Sequence, residues 1–213
     1  EQLVAGLRAG AFPVRWMPDA AYGLGYPFFN FYASLPYYVA AAFRLAGWGP
    51  IGALQATQVI GFVLAAWAMV LLGRHILHHP AAIALAAIAY TCAPFHLVNV
   101  YVRGDSLSEF YAFVFYPLIF WALLRLRDKP NTANLAWLGL SYGGLVLTHN
   151  LSAVMFSPFV GLYALYLLWP RHRPSSPKPR RPWRRVSGRT TLMMGGGIAL
   201  GLALSATLWL SAV

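Results

Sequence analysis

Apolar residues run through this chain in stretches of membrane length, separated by short polar junctions. Residues 51–72, 81–102, 107–124, 132–148, 151–169 and 191–213 form six such runs. Each approaches the ~20 residues a helix needs to cross the hydrocarbon core. A spanning segment has to satisfy its own backbone groups, so the runs predict helices. Pro94 lies inside the second run and predicts a break there. Most junctions are tight. Residues 73–80 hold Arg74 with three histidines, 125–130 read Arg-Leu-Arg-Asp-Lys-Pro, and His149-Asn150 alone joins the fourth and fifth runs. Residues 171–190 are the exception: rich in Pro and Arg, without an apolar face, they predict no packed element.

The first 50 residues follow another pattern. In residues 1–11, Leu3, Val4 and Leu7 share a helical face with Arg8 opposite, which predicts a short interfacial helix. Residues 12–32 carry Pro13, Pro18, Pro27, Gly23 and Gly25 among many aromatics, which rules out a continuous helix. That aromatic density suits the headgroup region. Residues 35–46 predict a helix that is short for a span. It carries Pro36 and Arg44 and is placed flat on the interface. The expected organisation is an external region over 1–50, five spans over 51–170, a basic cytoplasmic loop over 171–190 and a sixth span over 191–213. The chain opens on Glu1 in an amphipathic stretch and closes inside an apolar run, so it reads as a piece of a longer protein.

Composition agrees. The chain is 59% hydrophobic and 10% charged, against about 25% charged residues in a soluble domain. An all-α, polytopic transmembrane bundle is the expected fold class. The single cysteine, Cys92, excludes an internal disulfide. A net charge of +11 raises nucleic acid as a partner, but the distribution of the charge removes it. Eight basic residues fall in 171–190, which places that loop in the cytoplasm. Counting back through alternating spans puts twelve of the sixteen basic residues inside, leaving Arg8, Arg15, Arg44 and Arg103 outside. The acids sort the other way, with only Asp128 inside. The basic residues therefore serve topology. Gly139-x-x-x-Gly143 and Gly197-x-x-x-Gly201 would let neighbouring helices approach closely.

The unusual chemistry collects at the external rim. Arg103, Asp105 and Glu109 stand between two apolar runs, and charges in such positions tend to be functional. The plainer reading is helix capping, with Asp105 or Ser106 as N-cap and Glu109 in the first turn, but a cap explains the acids and not Arg103. Arg15, Asp19, Tyr22, Tyr26, Asn30, His96, His149 and Asn150 lie at the same rim. The plain reading of His149 is a helix-end residue bonded to a backbone carbonyl. His75, His78 and His79 have no carboxylate beside them and are assigned no metal. Asn150-Leu-Ser152 matches a glycosylation sequon but abuts two runs and is discounted. The sequence holds no P-loop, nucleophile elbow, zinc spacing or dinucleotide fingerprint.

Arg15-Trp-x-Pro-Asp19, Tyr22-Gly-x-Gly-Tyr-Pro-x-Phe-Asn-Phe-Tyr32, Arg103-Gly with Glu109 five residues on, and Thr148-His-Asn150 occur in this order. Together they resemble a family of bacterial multi-pass membrane proteins labelled "6-pyruvoyl-tetrahydropterin synthase-related". The label implies no activity here: the soluble pterin synthase is a zinc enzyme with a histidine cluster, which this sequence does not supply. The family's layout is similar to that of GT-C membrane glycosyltransferases, which transfer a sugar from a polyprenyl-phosphate donor at the outer membrane surface. The resemblance implies a multi-pass protein of the bacterial cytoplasmic membrane. It also implies that the chain starts partway through the first external loop, with a span and an acidic residue upstream.

Glycosyl transfer needs a carboxylate to take the acceptor's proton and cations to stabilise the departing phosphate. Asp19, Asp105 and Glu109 are the candidate catalytic carboxylates. Arg15, Arg103, His149 and Asn150 are candidates for binding phosphate or substrate, and Tyr22 and Tyr26 for stacking on the sugar or lining a groove for the lipid. The alternatives are a transporter or flippase of lipid-linked glycans or other polar lipids, and a non-catalytic scaffold. Sugar, acceptor, metal and cofactor stay unnamed at this level.

Overall fold

The structure, a computed structural model, describes residues 1–103, 106–169 and 187–210. Within them the fold is helical, with one isolated antiparallel bridge between Met17 and Tyr26. Asp105 and the basic stretch 170–186 lie outside the described residues.

Three short helices build the N-terminal region: α1 (Gln2–Arg8), α2 (Phe28–Phe31) and α3 (Leu35–Leu45). Leu3 and Val4, on the apolar face of α1, pack with Val14, Met17, Phe29 and Ala41 in a small core. Between α1 and α2 the chain loops back on itself. Met17 and Tyr26 exchange backbone hydrogen bonds of 2.9 and 3.0 Å, and Ala21, Tyr22, Gly23 and Gly25 take positive φ inside the loop. Gly25 is required twice over: its φ is +81°, and the Trp16 ring occupies the place a Cβ would take. With 11 residues, α3 is about 17 Å long and cannot cross a membrane.

The bundle follows: α4 (Pro50–Ile76), α5 (Pro80–Thr91), α6 (Pro94–Tyr101), α7 (Leu107–Asp128), α8 (Thr132–Thr148), α9 (Asn150–Leu168), α10 (Gly188–Leu204) and the short α11 (Ala206–Trp209). Proline sits in the first turn of α4, α5 and α6, where its missing N–H costs nothing. Pro94 disfavours helix in the residue before it, and α5 and α6 meet at a 41° bend there. Among the described residues three helices, α4, α7 and α9, are long and apolar enough to cross a membrane, or four spans if α5 and α6 count as one. Helices α8 and α10 have 17 residues each, the lower limit for a span. The six apolar runs thus appear as helices of unequal reach. The last run ends earlier than expected: α10 stops at Leu204 and the chain restarts in α11.

Helix α7 is the centre. Phe110, Ile119, Leu123 and Leu126 are fully buried on it, and it packs against α4, α6, α8, α9 and α10. Two hydroxyls fasten it: Tyr111 donates to the Thr57 carbonyl at 2.5 Å, and Tyr90 donates to the Phe113 carbonyl at 2.7 Å. The outer helices are apolar outward as well. Leu151, Val154, Met155, Phe159, Leu162 and Leu165 of α9 are exposed. A stripe of that length facing water would aggregate, whereas lipid accepts it. The chain is a helical membrane protein.

Helices α8 and α10 pack through their glycine motifs. A Cβ on Gly143 would lie 2.8 Å from the Gly201 carbonyl oxygen, and one on Gly201 would lie 2.9 Å from that of Gly139. Lipid offers no hydrophobic drive between helices, so close backbone approach supplies the van der Waals attraction.

Alternating helix direction gathers the junctions before α4, between α6 and α7, between α8 and α9 and after α10 at one end. Two contacts tie the N-terminal region to that end. Arg15 Nη2 donates to the Thr207 carbonyl at 3.3 Å, and Asn150 Nδ2 donates to the Phe31 carbonyl at 3.3 Å.

Candidate functional site

The α6–α7 junction places the site. The Arg103 and Val102 backbone N–H groups both donate to the Val98 carbonyl, at 2.9 and 3.0 Å, so the chain wraps over the end of α6. This turns the Arg103 side chain towards the first turn of α7, where Glu109 sits. Arg103 Nη1 then donates to Glu109 Oε2 at 2.7 Å and to Asn99 Oδ1 at 3.3 Å. The pair is partly shielded: the Glu109 side chain is 22% exposed and that of Arg103 50%. Ser106 is the α7 N-cap and makes no side-chain capping bond, while Glu109 in the first turn engages the Arg103 cation.

His149 comes from the α8–α9 junction. Its Nδ1 accepts the Ser152 backbone N–H at 3.3 Å and lies 2.6 Å from Ser152 Oγ. The ring is therefore the N-cap of α9, receiving an N–H rather than donating to a carbonyl as the sequence suggested. These contacts assign the neutral proton to Nε2. Burial holds the imidazole below its ordinary pKa; the Glu109 carboxylate opposes that shift and the Arg103 guanidinium adds to it. The same couplings place His149 in the field of the Arg103–Glu109 pair. Tyr116, two turns into α7, also lies in the field of Glu109 and within reach of Ser152.

The structure brings together Arg103, Glu109 and His149 and adds Asn99, Tyr116 and Ser152, which the sequence reading missed. Asn99 had one legible signal, its position one helical turn before Arg103. Ser152 had another, its third place after a helix-starting His149.

The remaining candidates sit elsewhere on the same end. Asp19 is exposed, and its backbone N–H is held by Gln2 Oε1 at 3.0 Å. Among the described residues no hydrogen bond or ion pair joins Asp19 or Arg15 to the Arg103–Glu109 pair. Tyr22 is wholly exposed at the loop tip, and Tyr26 is partly exposed with its ring 6.4 Å from that of Phe31. Asn150 is exposed, and its Oδ1 accepts the Leu151 N–H at 2.9 Å. His96 is not at the rim. It is fully buried, stacked between Phe110 and Phe113 at 4.5 and 4.4 Å, with Nδ1 2.9 Å from the Thr91 carbonyl. At the opposite end, His75 does have a carboxylate partner, contrary to the sequence reading. Asp128 is distant in sequence, but its Oδ2 lies 2.9 Å from His75 Nε2. Among the described residues no group of three His, Cys, Asp or Glu side chains could hold a metal ion.

No protein-family model matches the chain, and no solved structure matches it. It is similar to an uncharacterized protein of Lactococcus lactis subsp. cremoris (strain MG1363), 26% identical over 171 residues. That alignment takes in 78% of this chain and 27% of the relative, so the chain spans about a quarter of the relative's length.

Proposed function

We propose that this chain is part of a membrane glycosyltransferase of the GT-C-like kind, using a polyprenyl-phosphate-linked sugar at the outer face of a bacterial cytoplasmic membrane. The observation that carries the reading is the Arg103–Glu109 pair at 2.7 Å, with the His149 ring in its field, at the end of the bundle that also holds the aromatic-rich region. The order of the sequence motifs and the excess of basic residues in the stretches expected on the cytoplasmic side support it.

The chemistry divides among these groups. A carboxylate locked to a guanidinium is a poor base. A lipid phosphate arriving at the rim competes for Arg103, an Arg being suited to bidentate phosphate binding. Its charge also meets the Nε2–H of His149 and the positive N-terminal end of α7. Glu109, released, takes the proton of the acceptor hydroxyl as its oxygen attacks the anomeric carbon. The bond from that carbon to the phosphate oxygen breaks, and the phosphate leaves with the electron pair, stabilised by Arg103.

The test uses the full-length protein in proteoliposomes with polyprenyl-phosphate-linked hexoses labelled in the sugar. Arg103→Ala and Glu109→Gln should each lower transfer by about 10²-fold or more, with melting temperature in detergent retained. Normal turnover in both variants ends the assignment. Labelled lipid that crosses the bilayer uncleaved replaces it with transport.

A further inference from the structure

At the end of the bundle opposite the site, a cavity of about 350 Å³ opens between the last turns of α4 and α7. Arg74, Arg125 and Lys129 line it, with His75, Asp128 and Trp121. We infer that this cavity binds a phosphate group, that of an anionic phospholipid whose headgroup sits among Arg74, Arg125 and Lys129.

Charge is the first argument. The one carboxylate in the cavity, Asp128, is paired with His75 at 2.9 Å, which leaves three cations facing a single, already engaged anion. Two helix ends meet here, and helix C-termini ordinarily repel anions. On α7 that repulsion is blunted. Asn134, itself buried, turns its amide on the terminal carbonyls, donating to that of Lys129 at 2.8 Å and to that of Arg125 at 3.3 Å.

Preorganisation is the second. Arg125 is fixed by two contacts that leave its terminal nitrogens uncommitted. Its Nε donates to Asn134 Oδ1 at 3.1 Å, and its guanidinium carbon lies 5.1 Å from the centre of the Trp121 ring. A guanidinium held at a fixed angle loses little freedom on binding. Arg74 and Lys129 are exposed and make no ion pair among the described residues.

Position selects the source of the phosphate. The cavity lies at the ends of two helices able to cross a membrane, with Leu71 and Trp121 forming an apolar wall beside the cations. Tryptophan belongs at the headgroup level, and basic clefts between membrane helices accept anionic headgroups. A soluble phosphate would use only the cations, whereas a lipid uses the wall as well.

The experiment takes the full chain in zwitterionic detergent and follows melting temperature as phosphatidylglycerol, phosphatidylcholine or inorganic phosphate is added. Phosphatidylglycerol should raise it and phosphatidylcholine should not. In the double variant Arg74→Gln, Lys129→Gln the apparent affinity for phosphatidylglycerol should fall about tenfold or more, while Arg8→Gln, on the exposed end of α1, leaves it unchanged. Equal responses to both lipids, or an unaltered response in the double variant, overturn the inference. A response to inorganic phosphate alone moves these cations to a soluble phosphate ligand and overturns the lipid assignment. If the double variant does not fold, native mass spectrometry of the unmodified protein decides: phosphatidylglycerol retained at collision energies that strip phosphatidylcholine supports the site, and equal loss rejects it.

Discussion

Gly143 and Gly201 meet backbone to backbone: a methyl group on Gly143 would stand 2.8 Å from the Gly201 carbonyl oxygen. Gly201 is the more confined of the two, with the Gly139 oxygen and the Gly143 nitrogen both 2.9 Å from its own missing Cβ. Backbone cannot swing aside as a long side chain can. Gly201→Ala should therefore lower stability by about 1–3 kcal/mol, the range for overpacking. Gly195→Ala, on the same helix with nothing within 4 Å, should be neutral or gain up to about 1 kcal/mol from helix propensity. Melting both variants in one detergent checks this. Equal losses would mean that α8 and α10 do not touch through these glycines.

The Arg103 side chain is half exposed and Glu109 is only partly shielded, so their pair contributes little to holding the fold. Exposed ion pairs contribute about 0–1 kcal/mol. A double-mutant cycle on Arg103→Ala and Glu109→Gln should return a coupling within that range in stability while transfer collapses. A coupling of several kcal/mol with normal turnover would make the pair structural.

His149 links stability to acid. Its folded pKa lies below its unfolded value, chiefly through burial, so folding favours the neutral ring. That contribution is complete above about pH 6.5 and is lost as pH falls towards the folded value. Protonating Nδ1 also removes the acceptor that caps α9. Melting temperature should drop between pH 7 and pH 5, and His149→Asn, which keeps a capping oxygen, should flatten the drop. An unchanged pH profile in the variant would remove His149 as its source.

The two ends of the bundle should face opposite sides of the membrane. With Cys92 replaced by serine, Leu24→Cys and His78→Cys, both at exposed positions, should react with a membrane-impermeant maleimide from opposite sides. Labelling of both from one side would break the alternation from α4 onward.

The short α3 makes a separate demand. Reporter fusions at Arg8 and Gly49, on either side of it, should report the same side of the membrane. Opposite sides would require a crossing that its 11 residues do not have the length to make.

Several of these features were determined by the sequence alone, because their causes are local. Apolar runs longer than any soluble core requires predicted membrane helices. Pro94 predicted the bend in α5–α6, since its ring disfavours helical backbone in the residue just before it. The apolar face of α1 and the shortness of α3 were likewise written in a few consecutive positions. Partners from distant segments were decided by the tertiary structure. Asp128 reaches His75 across 53 positions, and no local rule joins them. His96 was expected among the rim residues, yet the packing of α6 on α7 closes Phe110 and Phe113 over it. Gly139, Gly143, Gly197 and Gly201 announced close approach without saying to what; that Gly143 meets Gly201, while Leu200 packs on Gly139 and Leu138 on Gly197, follows from α10 lying along α8. Arg103, Glu109 and His149 were each legible as unusual. What the sequence did not contain was the wrap at the end of α6 and the cap at the start of α9. Those two turns set the directions of three side chains, and only the packing of α6, α7, α8 and α9 at one end brings them into a single field.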